Sequence, residues 1–203
     1  MKGAIKPYQS RAYLAENLTN LRRGVSKMKT LIIYWSKTGF VKKYAEWLAE
    51  ELKADIIPAK EVTKAKLKEY DSYIFGGSLY AVGINGADFI KKNIEELEGK
   101  KTAVFATGAS LPTKEVIEEV KNKNFTEEEQ RYFKFFYLRG GFDYSKLGFK
   151  DKVLMGIMKW KLNSKKKKGE ELTEEEKGLL AAYEKPVDFT DKDNIKEIVE
   201  YFK

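Results

Sequence analysis

The chain has 203 residues, no cysteine, no histidine and a formal net charge of +8 at pH 7. That length is enough for one domain with a real core, and the two missing residue types exclude disulfides, thiolate nucleophiles, the usual zinc sites and any imidazole base. The charge does not mark a nucleic-acid surface, because it is concentrated in Lys2, Lys6, Arg11, Arg22, Arg23 and Lys27 near the start and in Lys159, Lys161 and Lys165 to Lys168.

Residues 1–27 show no periodicity strong enough to define an element and read as a leader outside the fold, with residues 28–203 as the single domain. Leu21-Arg22-Arg23-Gly24 is compatible with codons containing AGGAGG, a bacterial ribosome-binding sequence, so Met28 is expected to be the natural start. No stretch approaches the roughly 20 apolar residues of a membrane span, and no secretory signal is present. A soluble cytoplasmic protein is expected.

From Thr30 onward short apolar runs alternate with amphipathic helices, the pattern of a parallel sheet covered on both faces. Strand one is Thr30 to Trp35, followed by a helix from about Gly39 to Leu52 with Tyr44, Ala45, Leu48 and Leu52 on one face. A strand Asp55 to Ile57 and a helix around Thr63 to Lys68 come next, then a strand Ser72 to Phe75, a helix near Ala87 to Leu97 and a strand Thr102 to Ala106. A helix from Thr113 to about Asn122 leads to a capping box, Thr126 with Glu129, and to an aromatic strand Tyr132 to Tyr137. The last helix, Asn194 to Phe202, has Thr190 and Asp191 as capping candidates. Between them lies an insertion at about 140–186, too long for an ordinary connection. Its first half carries Val153, Leu154, Ile157 and Met158 at helical spacing, then Trp160 and the lysine run. Its second half opens on another capping box, Thr173 with Glu176, and carries Leu179, Leu180 and Tyr183.

Three small-residue turns fall at the carboxyl ends of strands, where a doubly wound sheet binds its ligands. In the first, Tyr34-Trp35-Ser36-Lys37-Thr38-Gly39-Phe40-Val41, free backbone N–H groups and the positive end of a helix suit a phosphate, although a plain helix cap would use the same residues. Neither Walker A glycine precedes Lys37-Thr38, which argues against an ATPase or GTPase. Trp35-Ser36 lacks the acidic pocket of a receiver domain. The second turn, Phe75-Gly76-Gly77-Ser78-Leu79-Tyr80-Ala81-Val82-Gly83, offers small residues that let backbone amides approach a flat ring, with Tyr80 as a stacking face. The third is Ala106-Thr107-Gly108-Ala109-Ser110-Leu111.

Over about Met28 to Tyr137 plus the final helix, the sequence resembles the flavodoxin superfamily, because Ser36-Lys37-Thr38-Gly39-Phe40-Val41 is similar to its phosphate loop, with Val41 in place of a hydroxyl residue. The resemblance implies an α/β, flavodoxin-like, doubly wound five-stranded parallel sheet in the order 2-1-3-4-5, with helices on both faces and the insertion before the last helix. It also implies bound FMN. Ser36, Lys37, Thr38, Gly39, Phe40 and Val41 would hold the phosphate; Ser78, Leu79, Tyr80, Ala81 and Gly83, with Thr107, Gly108, Ala109 and Ser110, would flank the isoalloxazine. Chemistry would then reside on the flavin and not on a catalytic side chain. The run Phe136-Tyr137-Leu138-Arg139-Gly140-Gly141-Phe142, the lysine-rich stretch and the late closing helix resemble the subgroup that includes menaquinone-dependent protoporphyrinogen oxidase. Here, however, Leu79 to Gly83 lacks the basic residues of that enzyme's loop.

Two classes of function remain open: an FMN redox protein whose partner is another protein or a quinone-like small molecule, and a non-catalytic module that has lost the cofactor. The apolar and lysine residues of 152–168 also suggest peripheral membrane contact at the inner face. The other reading of that stretch is that Val153, Leu154, Ile157 and Met158 pack on the domain beneath a solvated lysine tip.

Overall fold

The computed structural model describes residues 28–80 and 83–203. The expected leader, residues 1–27, lies outside the described residues, as do Ala81 and Val82, so the expected ring contact of Ala81 does too. Strands β1 (Thr30–Trp35), β2 (Asp55–Pro58), β3 (Ser72–Tyr80), β5 (Lys101–Gly108) and β6 (Lys134–Arg139) form a parallel sheet in the order β2-β1-β3-β5-β6. This is the expected order, with one addition: a short strand β4 (Gly83–Ile84) that folds back antiparallel on β3.

Both sheet faces are buried, which is why the strands read as continuous apolar runs. Leu31, Ile33, Tyr73, Phe75, Val104, Ala106 and Tyr137 point to one face. There they meet Leu67 of α2 (Lys64–Leu67), Ile90 of α3 (Ala87–Lys92) and Val120 of α4 (Lys114–Asn124). On the other face, Ile32, Ile74, Ala103, Phe105, Phe136 and Leu138 pack against α1 (Phe40–Leu52) and α7 (Lys196–Phe202). The Tyr44 hydroxyl binds that side together: it donates to the Arg139 carbonyl at 2.6 Å and accepts from the Asn194 amide at 2.9 Å and the Asp191 N–H at 3.3 Å. Burial pushes its pKa above the usual tyrosine value.

Several boundaries differ from the sequence expectation for local reasons. β3 runs on through the expected glycine turn to Tyr80, so Ser78, Leu79 and Tyr80 stand on a strand. The Thr126–Glu129 capping box forms with both its bonds, but it precedes a 3₁₀ turn at Glu129–Tyr132, and β6 starts only at Lys134. The α3 helix breaks at Asn93 into a second 3₁₀ turn, Ile94–Leu97. Before α7, Asp191 caps the 3₁₀ turn Lys192–Ile195, while Thr190 is bound by Asp188.

The insertion is a helical hairpin on a two-stranded stem. β7 (Gly141–Phe142) pairs antiparallel with β8 (Val187–Asp188), and between them stand α5 (Phe149–Lys167) and α6 (Glu174–Glu184). Thr173 and Glu176 form the expected reciprocal box. Tyr183 anchors α6, with its ring beside Phe142 and Tyr144 and its hydroxyl donating to the Met155 carbonyl at 2.6 Å.

Candidate functional site

β1 delivers the chain to the sheet rim at Trp35, and residues 36–39 turn it into α1. Gly39 makes the turn with φ of 101°, a conformation that disfavours side chains, and its N–H donates to Ser36 Oγ at 3.1 Å. No side chain caps α1, its first turn has no acidic residue, and no heavy atom lies within 4 Å of where a Cβ on Gly39 would point. The helix start therefore keeps its positive end and its N–H donors open to an approaching anion. The Lys37 ammonium lies 5.1 Å over the Tyr80 ring and 2.9 Å from the Asp151 carboxylate of α5.

Not all of the expected phosphate contacts survive as side-chain contacts. Val41 is fully buried in the core beside Ile32 and Tyr44, and the Phe40 ring packs so closely on Gly141 that a Cβ there would lie 2.6 Å from Phe40 Cζ. Both can offer only backbone groups. Ser36, Lys37, Thr38 and Gly39 remain at the accessible turn, Lys37 and Gly39 exposed and Ser36 and Thr38 half-buried.

The strand register sets Gly77 beside Trp35 and Ala106, and Ser78 beside Thr107, so the three expected segments adjoin along one rim. The glycines of β3, however, serve packing. A Cβ on Gly76 would collide with the Phe105 ring, and one on Gly77 would lie 2.6 Å from the Asn85 carbonyl. Ser78 is tied back by Asn85, whose side-chain amide donates to the Ser78 carbonyl and hydroxyl oxygens, each at 3.0 Å. Leu79 and Tyr80 are half-buried and Gly83 is exposed. Tyr80 thus stays at the rim, beside Lys37.

In the third segment Thr107 is withdrawn from solvent at 4% exposure and faces Gly140 at the hairpin stem, 3.2 Å from where a Gly140 Cβ would be. Its side chain is thus engaged in packing, which leaves its backbone to face a ring. Gly108 makes room for the Tyr137 hydroxyl. Ala109 and Ser110 are exposed, their carbonyls accepting from Arg139 Nε and the Tyr137 hydroxyl, each at 3.3 Å. The Arg139 guanidinium also lies 3.7 Å over the Phe189 ring.

Sequence reasoning did not assign Asn85, Arg139 or Asp151 to the site. Arg139 had a readable signal, a cation at the carboxyl end of a sheet strand; Asn85 and Asp151 had none. A cleft of about 470 Å³ opens elsewhere, between the end of α1 and α7, where Lys192 pairs with Glu50 and Glu51; no rim residue lines it. The rim donor set, an uncapped helix start with an exposed glycine, a lysine and a half-exposed tyrosine face, fits a phosphate joined to an aromatic ring, and so fits FMN.

The family described as flavodoxin domain matches residues 31–169. No protein of curated function matches the chain. Among solved structures it is similar to a flavodoxin, WrbA-like protein from Agrobacterium tumefaciens, with 25% identity over 42% of this chain and 63% of that one and a TM-score of 0.37. It is also similar to two-electron reduced flavodoxin from Megasphaera elsdenii, with 15% identity over 54% and 82% of the two chains and a TM-score of 0.42. A flavoprotein in complex with FMN from Lactobacillus acidophilus matches with 16% identity over 55% and 92%, at a TM-score of 0.42. The chain spans 63% of the length of the Agrobacterium protein.

Proposed function

The chain belongs to the flavodoxin domain family, and on that premise we propose that it binds FMN at the rim of its sheet and works by electron transfer through it. The observation that carries this reading is the open turn at 36–39, where the start of α1 is uncapped and the exposed Lys37 stands beside Tyr80. Ser36 and Thr38 add hydroxyl donors, and Tyr80 offers a face to the ring. Bound FMN would supply reversible uptake and release of electrons, while the protein supplies placement and electrostatic tuning.

In the finer form of the proposal the protein is an FMN-dependent oxidoreductase of the cytoplasm whose electrons go to a quinone or to a partner protein with a negative surface, the latter matching its own positive charge. Protoporphyrinogen oxidase-like activity belongs to this form, on the resemblance in the layout of the insertion. A cofactor-free interaction module is the second reading, and two observations favour it: the buried Val41 and the carboxylate of Asp151 already paired with Lys37.

Absorbance of the purified protein separates the two, because bound oxidised FMN makes it yellow. Titration with FMN tests the site. Thr38→Ala should cost about 1.5–3 kcal/mol, the value of a hydrogen bond to a charged group. Gly39→Val should cost more, because it blocks backbone approach and strains a left-handed turn. Tyr80→Ala should cost about 0.5–1.5 kcal/mol and alter the flavin spectrum. Unchanged affinity in all three would move the phosphate elsewhere, and a protein that neither carries nor takes up FMN would leave the module reading.

A further inference from the structure

The hairpin carries its apolar side chains on the wrong side for a helix that only packs. In α5, Leu162 alone is fully buried, at 6% exposure, whereas Phe149 is 83% exposed, Trp160 69% and Val153 51%, with Leu154, Ile157 and Met158 also exposed. These are the side chains that would cover the domain if the insertion were a simple packing element. Phe149, Val153, Ile157 and Trp160 are spaced so that they fall on one stripe of the helix.

Charge defines what can cover that stripe. Residues 149–168 hold eight lysines against Asp151 alone. Two are already neutralised, Lys159 by Glu184 at 2.7 Å and Lys165 by Glu176 at 2.9 Å. Lys150, Lys161, Lys166, Lys167 and Lys168 are exposed, and none forms an ion pair among the described residues. A second copy docked on this face would bring like charges together. An anionic bilayer surface instead accepts both parts, taking phenyl, indole and aliphatic groups into the acyl boundary while lysine stems reach its phosphates. Among the described residues no helix is long and apolar enough to cross a membrane, so such a helix would lie on the surface.

We infer that α5 is an interfacial helix that docks the protein on anionic lipid through Phe149, Val153, Ile157 and Trp160, with Lys150, Lys161 and Lys166 to Lys168 as its electrostatic partners. The acidic residues Glu170, Glu171 and Glu174, exposed just beyond α5 and at the start of α6, favour an orientation with α5 toward the lipid. This surface stands apart from the FMN reading, and its test does not depend on flavin.

The test is co-sedimentation of the full chain with vesicles of phosphatidylcholine alone or of equal parts phosphatidylcholine and phosphatidylglycerol. Salt is set at about 0.01 M and about 1 M, where the Debye length is about 30 Å and about 3 Å. The expected result is binding to the anionic vesicles, weakened by high salt. Replacing Lys166, Lys167 and Lys168 by serine should lower partitioning at least about tenfold. Ile157→Ser with Trp160→Ser should lower it comparably while leaving thermal unfolding unchanged, since both side chains are exposed. Absence of binding to anionic vesicles, or binding indifferent to salt and to both sets of changes, overturns the inference. So does a stable dimer in solution that Ile157→Ser dissociates, which would assign the stripe to a second copy.

Discussion

In the sheet, Ile32, Ile74, Ala103 and Phe105 are each fully enclosed beneath α1 and α7; in the hairpin, the 19 residues of α5 enclose only Leu162. The body is held by apolar surface removed from water on two faces, each large buried side chain such as Ile32 or Phe105 contributing about 1.5–3 kcal/mol. The hairpin is held by a two-residue stem, the Tyr183 anchor and ion pairs such as Lys159–Glu184, which are worth about 0–1 kcal/mol each. The difference teaches that one chain can contain a segment whose apolar residues are not there to fold it. It also implies that the two regions unfold separately.

The largest expected effect comes from the body. Phe105→Ala removes a fully buried ring that also fills the space left by Gly76, and should cost about 3–5 kcal/mol of global stability in denaturant unfolding. A loss confined to the hairpin amides would break the comparison. Next is Tyr183→Ala, which removes the contact of α6 with Phe142, Tyr144 and the Met155 carbonyl. Amide exchange should show α5 and α6 losing protection while β1, β3 and β5 keep theirs; a parallel loss in the sheet would mean that the hairpin belongs to the same cooperative unit.

Acid should sharpen the same contrast with a smaller effect. Glu176 is held below the usual glutamate value by the Lys165 ammonium and the Thr173 N–H, and Glu184 by Lys159. Asp143, at the stem, is held down by the Ser145 hydroxyl and, less, by Lys146. A depressed carboxylate favours the folded hairpin above its ordinary pKa, and this contribution disappears as pH falls through the folded value. Between about pH 5 and about pH 3 the hairpin amides should therefore gain exchange before those of the sheet do. Simultaneous loosening of both regions would show that these pairs do not govern the hairpin.

Much of the body was legible because its rules are local or periodic. The five parallel strands and the helices between them follow from apolar runs, and in the insertion the Thr173–Glu176 box follows from short-range hydrogen bonds, whereas the order of the sheet came from the resemblance to flavodoxins. The turn at Ser36 to Gly39 was legible for the same reason, since a glycine entering an amphipathic helix marks a helix start wherever it occurs. The rim was legible only in part. Gly76, Gly77 and Gly108 read as openings for a ligand, but Phe105, Asn85 and Tyr137 fill the space above them.

The sequence by itself determined that this is a doubly wound α/β domain with an open, positively poised turn after its first strand and a long helical insertion before its last helix. Burial of both sheet faces and the geometry of helix starts leave their mark residue by residue. Only the tertiary structure decided that Val41 and Thr107 turn inward, that β3 outruns its glycines to present Tyr80 beside Lys37, that Asp151 reaches the same lysine, and that α5 turns Phe149, Ile157 and Trp160 to solvent. Each of these depends on which face of one element meets another distant in the chain. Periodicity identifies an apolar stripe, but what the stripe packs against is settled only when the other elements are in place.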